Sequence, residues 1–396
     1  MKSFRELGVS SAVADTLAAR SIESPFAIQS LVLPDALEGR DLLAKSPTGS
    51  GKTLAFAVPI VERLDRDEAR PSALILVPTR ELANQVALEF ADIGASRGLK
   101  VAAVYGGTPL GAQAKRARDA HILVATPGRL EDLAQRRMIR LDGIRVLVLD
   151  EADRMLDMGF KPQVDTIVRR LPAKRQTMFF SATLDGEVGE LARKYTLNPS
   201  RYDAELPAHL ELGETEHRFV PVTAANKVET LVDLLKADRE LALVFVRTKR
   251  GADRLVHKLR RLGVDAVAMH GDMSQGARER ALSRFESGKV KTLVATDVAA
   301  RGLDLDDISH VINFDPPADD KGYVHRVGRT GRAGRDGTGI TLVLPEQQAD
   351  VSRVARHVGE TEQFVDAGMR VAPKTLVYSG RRGNSRWNAP RKRRKI

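Results

Sequence analysis

The sequence predicts an α/β protein built from two parallel sheets in tandem, followed by a disordered basic C-terminal tail. Three observations predict it. Short, continuously apolar, β-branched runs alternate with helical patterns of ~10–15 residues, as strands buried on both faces by crossover helices do. That series stops at a polar stretch over 203–215, which lacks a sustained period, and then restarts. From 378 to 396 the chain carries eight basic residues and no acidic one, interleaved with Gly, Asn, Ser, Pro and the single Trp387. Such a composition cannot bury a core.

Taken in order, strands are expected at 41–44, 73–77, 101–104, 122–125, 145–149 and 177–181, with helices such as 80–94 and 161–171 between them. The second series reads 217–222, 241–246, 264–269, 292–295, 310–314 and 339–344. This gives a first domain at 1–203, a linker at 204–215, a second domain at 216–370 and a tail at 371–396. No sequence self-similarity links the halves, so the repeat is one of architecture.

Composition narrows the function. A chain of 396 residues, 42% hydrophobic and 29% charged, is globular and long enough for two or three cores. Without cysteine there is neither a disulfide framework nor a thiolate metal site. No apolar run approaches the ~18 residues of a membrane span, and the N-terminus lacks a signal-peptide core, which points to the cytoplasm. The net charge of +11 sits mainly in the tail. A nucleic-acid groove on the body must therefore be argued from motifs. In the tail, cations beside one stacking ring suit single-stranded RNA; a solubilising charge run or a targeting-like patch is the alternative.

Two motifs carry chemistry. The loop SPTGSGKT at 46–53 follows an apolar run and opens a helix. Thr48, Gly49, Ser50 and Gly51 bring backbone N–H groups to phosphate oxygens, Lys52 reaches the β- and γ-phosphates, and Thr53 ligates Mg²⁺. Ser46 stands where the first glycine of such loops usually is. The cluster Asp150-Glu151-Ala152-Asp153 closes the run 145–149. Asp150 suits Mg²⁺, and Glu151 suits orienting and deprotonating the attacking water. A carboxylate pair capping the next helix is the plain alternative, and the phosphate loop tells against it.

Read with the motifs around it, Asp150–Asp153 resembles the DEAD-box family of ATP-dependent RNA helicases, within superfamily 2. The supporting stretches run in the family's order: SPFAIQ at 24–29, PTREL at 78–82, Gly106-Gly107, TPGR at 126–129, SAT at 181–183, QGAR at 275–278, ATDVAARGLD at 295–304 and HRVGRTGR at 325–332. The resemblance spans residues 4 to about 344. It implies two RecA-like domains with ATP between them and RNA across both. It implies that Gln29 reads adenine, that Phe4 stacks on it, and that Gly302 and Asp304 touch the ribose. Two departures are Ser21 at a usual Gly position and Phe26 at a usual Thr. It further implies that Arg329 and Arg332 are arginine fingers and that Asp153, Ser181, Thr183 and His325 couple hydrolysis to closure. RNA contacts are implied for Thr79, Arg80, Gly106, Gly107, Thr126 and Arg129, and for Arg247, Gln275, Arg278 and Thr296. These residue types suit backbone contact rather than base readout.

The function expected is an ATP-dependent RNA helicase with ATP and Mg²⁺. It would act as a monomer on single-stranded or short duplex RNA, beside ribonucleoprotein or RNA-turnover partners. An ATP-regulated RNA clamp with little unwinding turnover, or a DNA-directed superfamily 2 helicase, is the alternative.

Overall fold

The computed structural model describes residues 2–46, 50–203, 215–237, 240–300, 308–317, 319–331 and 336–372. Of the sequence expectations, Thr48, Gly49, Gly302, Asp304, Arg332, linker residues 204–214 and tail residues 373–396 lie outside them.

The first sheet holds β1 (Leu42–Lys45), β2 (Ala73–Leu76), β3 (Val101–Val104), β4 (Ile122–Ala125), β5 (Val146–Asp150), β6 (Gln176–Ser181) and β7 (Ser200–Asp203). The second holds β8 (Thr215–Pro221), β9 (Leu241–Phe245), β10 (Val267–Met269), β11 (Thr292–Ala295), β12 (Ile308–Asn313) and β13 (Gly337–Val343). Every pairing is parallel. The period-2 alternation of each strand feeds two cores. In β2, Ala73 and Ile75 enter one cluster with Phe56, while Leu74 and Leu76 enter another with Leu133. The second sheet is covered on both faces in the same way. Parallel strands joined by crossover helices leave no other place for their apolar side chains.

β7 was not expected. Its residues Ser200, Arg201, Tyr202 and Asp203 form an edge strand beside β1, half-buried and exposed in turn. Ser21 takes φ +61°, which accounts for the glycine usual at that position. Among the described residues no helix is long and apolar enough to cross a membrane.

Strand order decides where the functional loops go. The first sheet runs β3-β4-β2-β5-β6-β1-β7. Loops leaving the C-terminal ends of β5, β6 and β1 are therefore neighbours, as are those leaving β3, β4 and β2. The first trio carries the acidic cluster, Ser181 and the phosphate loop. The second carries Gly106-Gly107, Thr126 and Thr79. In the second sheet, order β10-β11-β9-β12-β13-β8, the same division groups Gln275, Thr296 and Arg247 apart from the β12 side that leads to Arg329. Open parallel sheets bind ligands beyond these strand ends.

Candidate nucleotide and RNA site

Ser46 follows β1, and the helix Lys52–Arg63 starts at Gly51, whose φ of +81° turns the chain. A Cβ on Gly51 would lie 2.4 Å from the Phe26 ring and 2.6 Å from Gln29 Nε2, so the loop packs tightly on the segment before the helix Ala27–Glu38. Lys52 Nζ donates to the Ser46 carbonyl at 2.9 Å, and the Ser46 and Ser50 hydroxyls bond each other. Gln29 is buried with its amide engaged at both ends. Its Oε1 accepts from Phe26 N, and its Nε2 donates to the Gly51 carbonyl, both at 2.9 Å. One N–H and one lone pair of the amide are left over by these two bonds.

Asp150 ends β5, fully enclosed, with Oδ1 accepting from Glu151 N at 3.0 Å. Burial, reinforced by the neighbouring Glu151 carboxylate and opposed by Lys52, pushes its carboxyl up to about 7. Glu151 is the left-handed residue at φ +50°, ψ +49° that starts the helix Ala152–Asp157. Burial works against its charge, but Arg154, Lys52 and Arg329 outweigh it and hold the carboxyl below its ordinary value. Ser181 Oγ, at the end of β6, accepts from Asp153 N at 3.2 Å. Thr183 is exposed, so of the two hydroxyls of this motif it is Ser181 that meets Asp153.

A cavity of about 440 Å³ joins Gln29, Gly51, Lys52, Thr53, Asp150 and Glu151 with Arg329 of the second domain. Arg329 is 5% exposed. The helix that leads to it, Asp320–Val327, is pinned by Arg326. That guanidinium makes a two-pronged ion pair with Asp297 at 2.6 and 2.7 Å and donates to Asn313 Oδ1 at 3.0 Å. His325 also faces the first domain, with its pKa lowered by burial and by the Arg154 charge, against the pull of Asp153.

Phe4 requires correction. It packs in the core with Val13 and Leu17 at 3% exposure and does not line the cavity. The ring that does line it is Phe26, 45% exposed, resting against Gly51. Burying Phe4 anchors the N-terminal segment, and that use of the ring competes with stacking on a base.

On the other strand ends, Thr79 caps the helix Arg80–Ala95 through Leu82 N at 3.2 Å. The Arg80 guanidinium lies over Gly106 and Gly107, where a Cβ on Gly107 would meet it at 2.4 Å. Arg129, just past Thr126, donates to Thr108 O and Gln113 Oε1 at 3.0 and 2.9 Å, bracing the turn after β3. In the second domain Arg247 is exposed, with its backbone N held by Asp315. Gln275 Oε1 and Thr296 Oγ1 are buried without a hydrogen-bond partner. Arg278 is a second correction. It is an ion-pair partner of Glu81, 2.7 Å away across the domain interface, and neither side chain exceeds 7% exposure. A guanidinium so enclosed is not free to meet a phosphate. Arg154, Glu81 and Phe26 were missed; only the i, i+3 spacing of Glu151 and Arg154 gave a sequence signal.

A phosphate loop in one α/β domain, faced by an arginine from another, is the arrangement of a two-domain P-loop nucleoside triphosphatase. Residues 26–191 match the family model of the DEAD/DEAH box helicase, and 226–334 that of the helicase conserved C-terminal domain. The chain is 39% identical to the DEAD-box ATP-dependent RNA helicase CshA of Bacillus licheniformis, over 87% of this chain and 71% of that protein. It is 40% identical to the ATP-dependent RNA helicase DbpA of Bacillus subtilis, over 93% and 77%. Saccharomyces cerevisiae Dbp5 bound to RNA and ADP BeF3 superposes with TM-score 0.81 at 30% identity, covering 94% of this chain and 95% of that one. The chain belongs to the DEAD-box family of ATP-dependent RNA helicases.

Proposed function

We propose that this protein is an RNA-stimulated ATPase that binds RNA without sequence preference and separates short duplexes by closing its two domains. The observation carrying this reading is that Arg329 of the second domain lines the cavity of Lys52, Asp150 and Glu151. A site completed only when the halves meet is a site that a ligand spanning both can control.

In this reading Lys52 and the Gly51 turn hold the phosphates, Glu151 orients the attacking water and accepts its proton, and Arg329 with Arg332 stabilises charge developing on the transferred phosphoryl group. Asp150 and Thr53 would hold Mg²⁺. Their fit rests on Asp150, an enclosed carboxylate beside a second one, on the same cavity as the Thr53 hydroxyl. Among the described residues no group of three metal-binding side chains occurs, and a divalent cation held by one or two side chains would take its remaining oxygen ligands from phosphate and water. When bound it neutralises charge on the β- and γ-phosphates. Gln29 reads the adenine edge, and Phe26 offers the ring for its face. Asp153 with Ser181, and His325 opposite, relay closure between the halves. RNA phosphates and 2′-hydroxyls lie along Thr79, Gly106-Gly107, Thr126, Arg247, Gln275 and Thr296. The unpartnered Gln275 and Thr296 oxygens support this row, because buried polar atoms are ordinarily satisfied.

The reading is tested by steady-state ATP hydrolysis with single-stranded RNA or DNA of one sequence. Stimulation by RNA alone is expected; equal stimulation by DNA overturns RNA specificity, since 2′-hydroxyl contacts are then not used. Multiple-turnover unwinding at low enzyme concentration separates a helicase from a static clamp. For the base platform, Phe26→Ala is expected to raise KM for ATP ~5- to 10-fold with kcat retained, since a stacked ring contributes roughly 1 kcal/mol or more. An unchanged KM would return the stacking role to another group.

A further inference from the structure

Glu151 is held from behind by a residue outside the nucleotide cavity. Arg154 Nη1 donates to Glu151 Oε2 at 2.8 Å, and the two side chains are 8% and 9% exposed. The pair spans the start of the six-residue helix Ala152–Asp157, with Glu151 in the left-handed region just before it. Non-glycine residues persist there only where their surroundings hold them.

Glu151 is faced by three cations: Arg154, Lys52 and Arg329. They differ in what else they serve. Lys52 and Arg329 line the nucleotide cavity, whereas Arg154 does not. Once a triphosphate enters, its oxygens compete for Lys52 and Arg329. Arg154 is then the cation left to the carboxylate. It also stands at the domain boundary, near enough for its charge to act on His325.

We propose that Arg154 is a positioning residue for hydrolysis: by holding Oε2 it turns Oε1 of Glu151 toward the cavity, where the attacking water is oriented. This rests on the reading of Glu151 as the hydrolytic carboxylate. The plainer account is an ion pair that only stiffens a short helix. Such pairs, when exposed, stabilise a helix only slightly and tune no single step. Here both groups are enclosed and one of them is a reacting side chain.

The test uses the full chain and three variants, Arg154→Met, Arg154→Lys and Glu151→Gln. It measures RNA-stimulated kcat, KM for ATP, Tm, and RNA affinity in ADP–beryllium fluoride. Arg154→Met is expected to lower kcat ~10- to 100-fold, with KM and analogue-dependent RNA affinity within about threefold of the parent, the pattern of a group that acts only in the transition state. Arg154→Lys restores most of the lost kcat, because a cation returns to the same oxygen. In Glu151→Gln, adding Arg154→Met costs little more, because the two act as a unit. The proposal is overturned if Arg154→Met keeps kcat within about twofold of the parent. It is equally overturned if kcat falls only in step with RNA affinity and Tm, or if Arg154→Lys is no better than Arg154→Met. Full turnover in Glu151→Gln would instead remove the reading of Glu151 on which the proposal stands.

Discussion

Replacing Glu151 by Gln is expected to reduce ATP turnover by ~10²- to 10⁴-fold, the range a general base contributes, while ATP-dependent RNA binding persists. The reason lies in how the site is divided. Lys52 and Arg329, which line the same cavity as Glu151, are untouched and still draw the two domains onto the phosphates. Gln matches the size of Glu and can still accept from Arg154, so the backbone at φ +50° has no cause to relax. What is lost is a carboxylate that burial would neutralise and that Arg154, Lys52 and Arg329 keep ionised. A proton acceptor is removed without removing a phosphate contact. Turnover and RNA affinity measured in parallel check this, and full ATPase activity in the variant would sink the assignment.

The sequence made this side of the molecule legible because strand and motif coincide there. The continuous apolar runs of β2 to β6 give no choice of face, so their ends are found within a residue or so: β3 and β4 lie where expected, and β5 runs Val146–Asp150 against the expected 145–149. β7 was illegible because an edge strand needs only one apolar flank, and Ser200-Arg201-Tyr202-Asp203 reads as loop. Phe4 was assigned to the base by resemblance alone. A resemblance places a ring near a motif but does not tell whether its neighbours will bury it. The structure gives Phe4 a pocket of core side chains and leaves Phe26 beside Gly51, where only a glycine lets it approach. The resemblance pointed to the nucleotide side of the interface through Arg329, but the Arg278–Glu81 contact left no trace in the sequence. Contacts made by residues about two hundred positions apart have no period, and Arg278 looks the same in sequence whether it meets a phosphate or Glu81.

That last ambiguity yields the second large effect. Arg278→Met is expected to lower RNA-stimulated kcat/KM for ATP by ~10²-fold. The Arg278–Glu81 pair, 2.7 Å apart and almost wholly enclosed, exists only while the two domains are together. Removing the cation strands the Glu81 carboxylate in the closed interface but not in the open one. Breaking a buried pair from one side costs ~3–5 kcal/mol. The lower end applies here, because Glu81 Oε1 and Arg278 Nε lack well-aligned hydrogen bonds. At 1.4 kcal/mol per decade, that is roughly a hundredfold loss of the closed population on which hydrolysis depends. Burial itself already disfavours the Arg278 charge, so the pair gains little over an apolar contact. Glu81→Leu added to Arg278→Met should therefore recover most of the activity, since well-packed apolar replacements of buried pairs are often neutral or better. Leu88, Leu282 and Met269 line the same cleft and offer apolar neighbours to the new side chains. If Arg278 instead binds an RNA phosphate, the second substitution restores nothing and the salt dependence of RNA binding stays shallower by ~0.7 in log–log slope. Measuring ATPase activity and RNA affinity against salt in the single and double variants separates the two roles. Recovery in the double variant identifies the pair as a latch on domain closure.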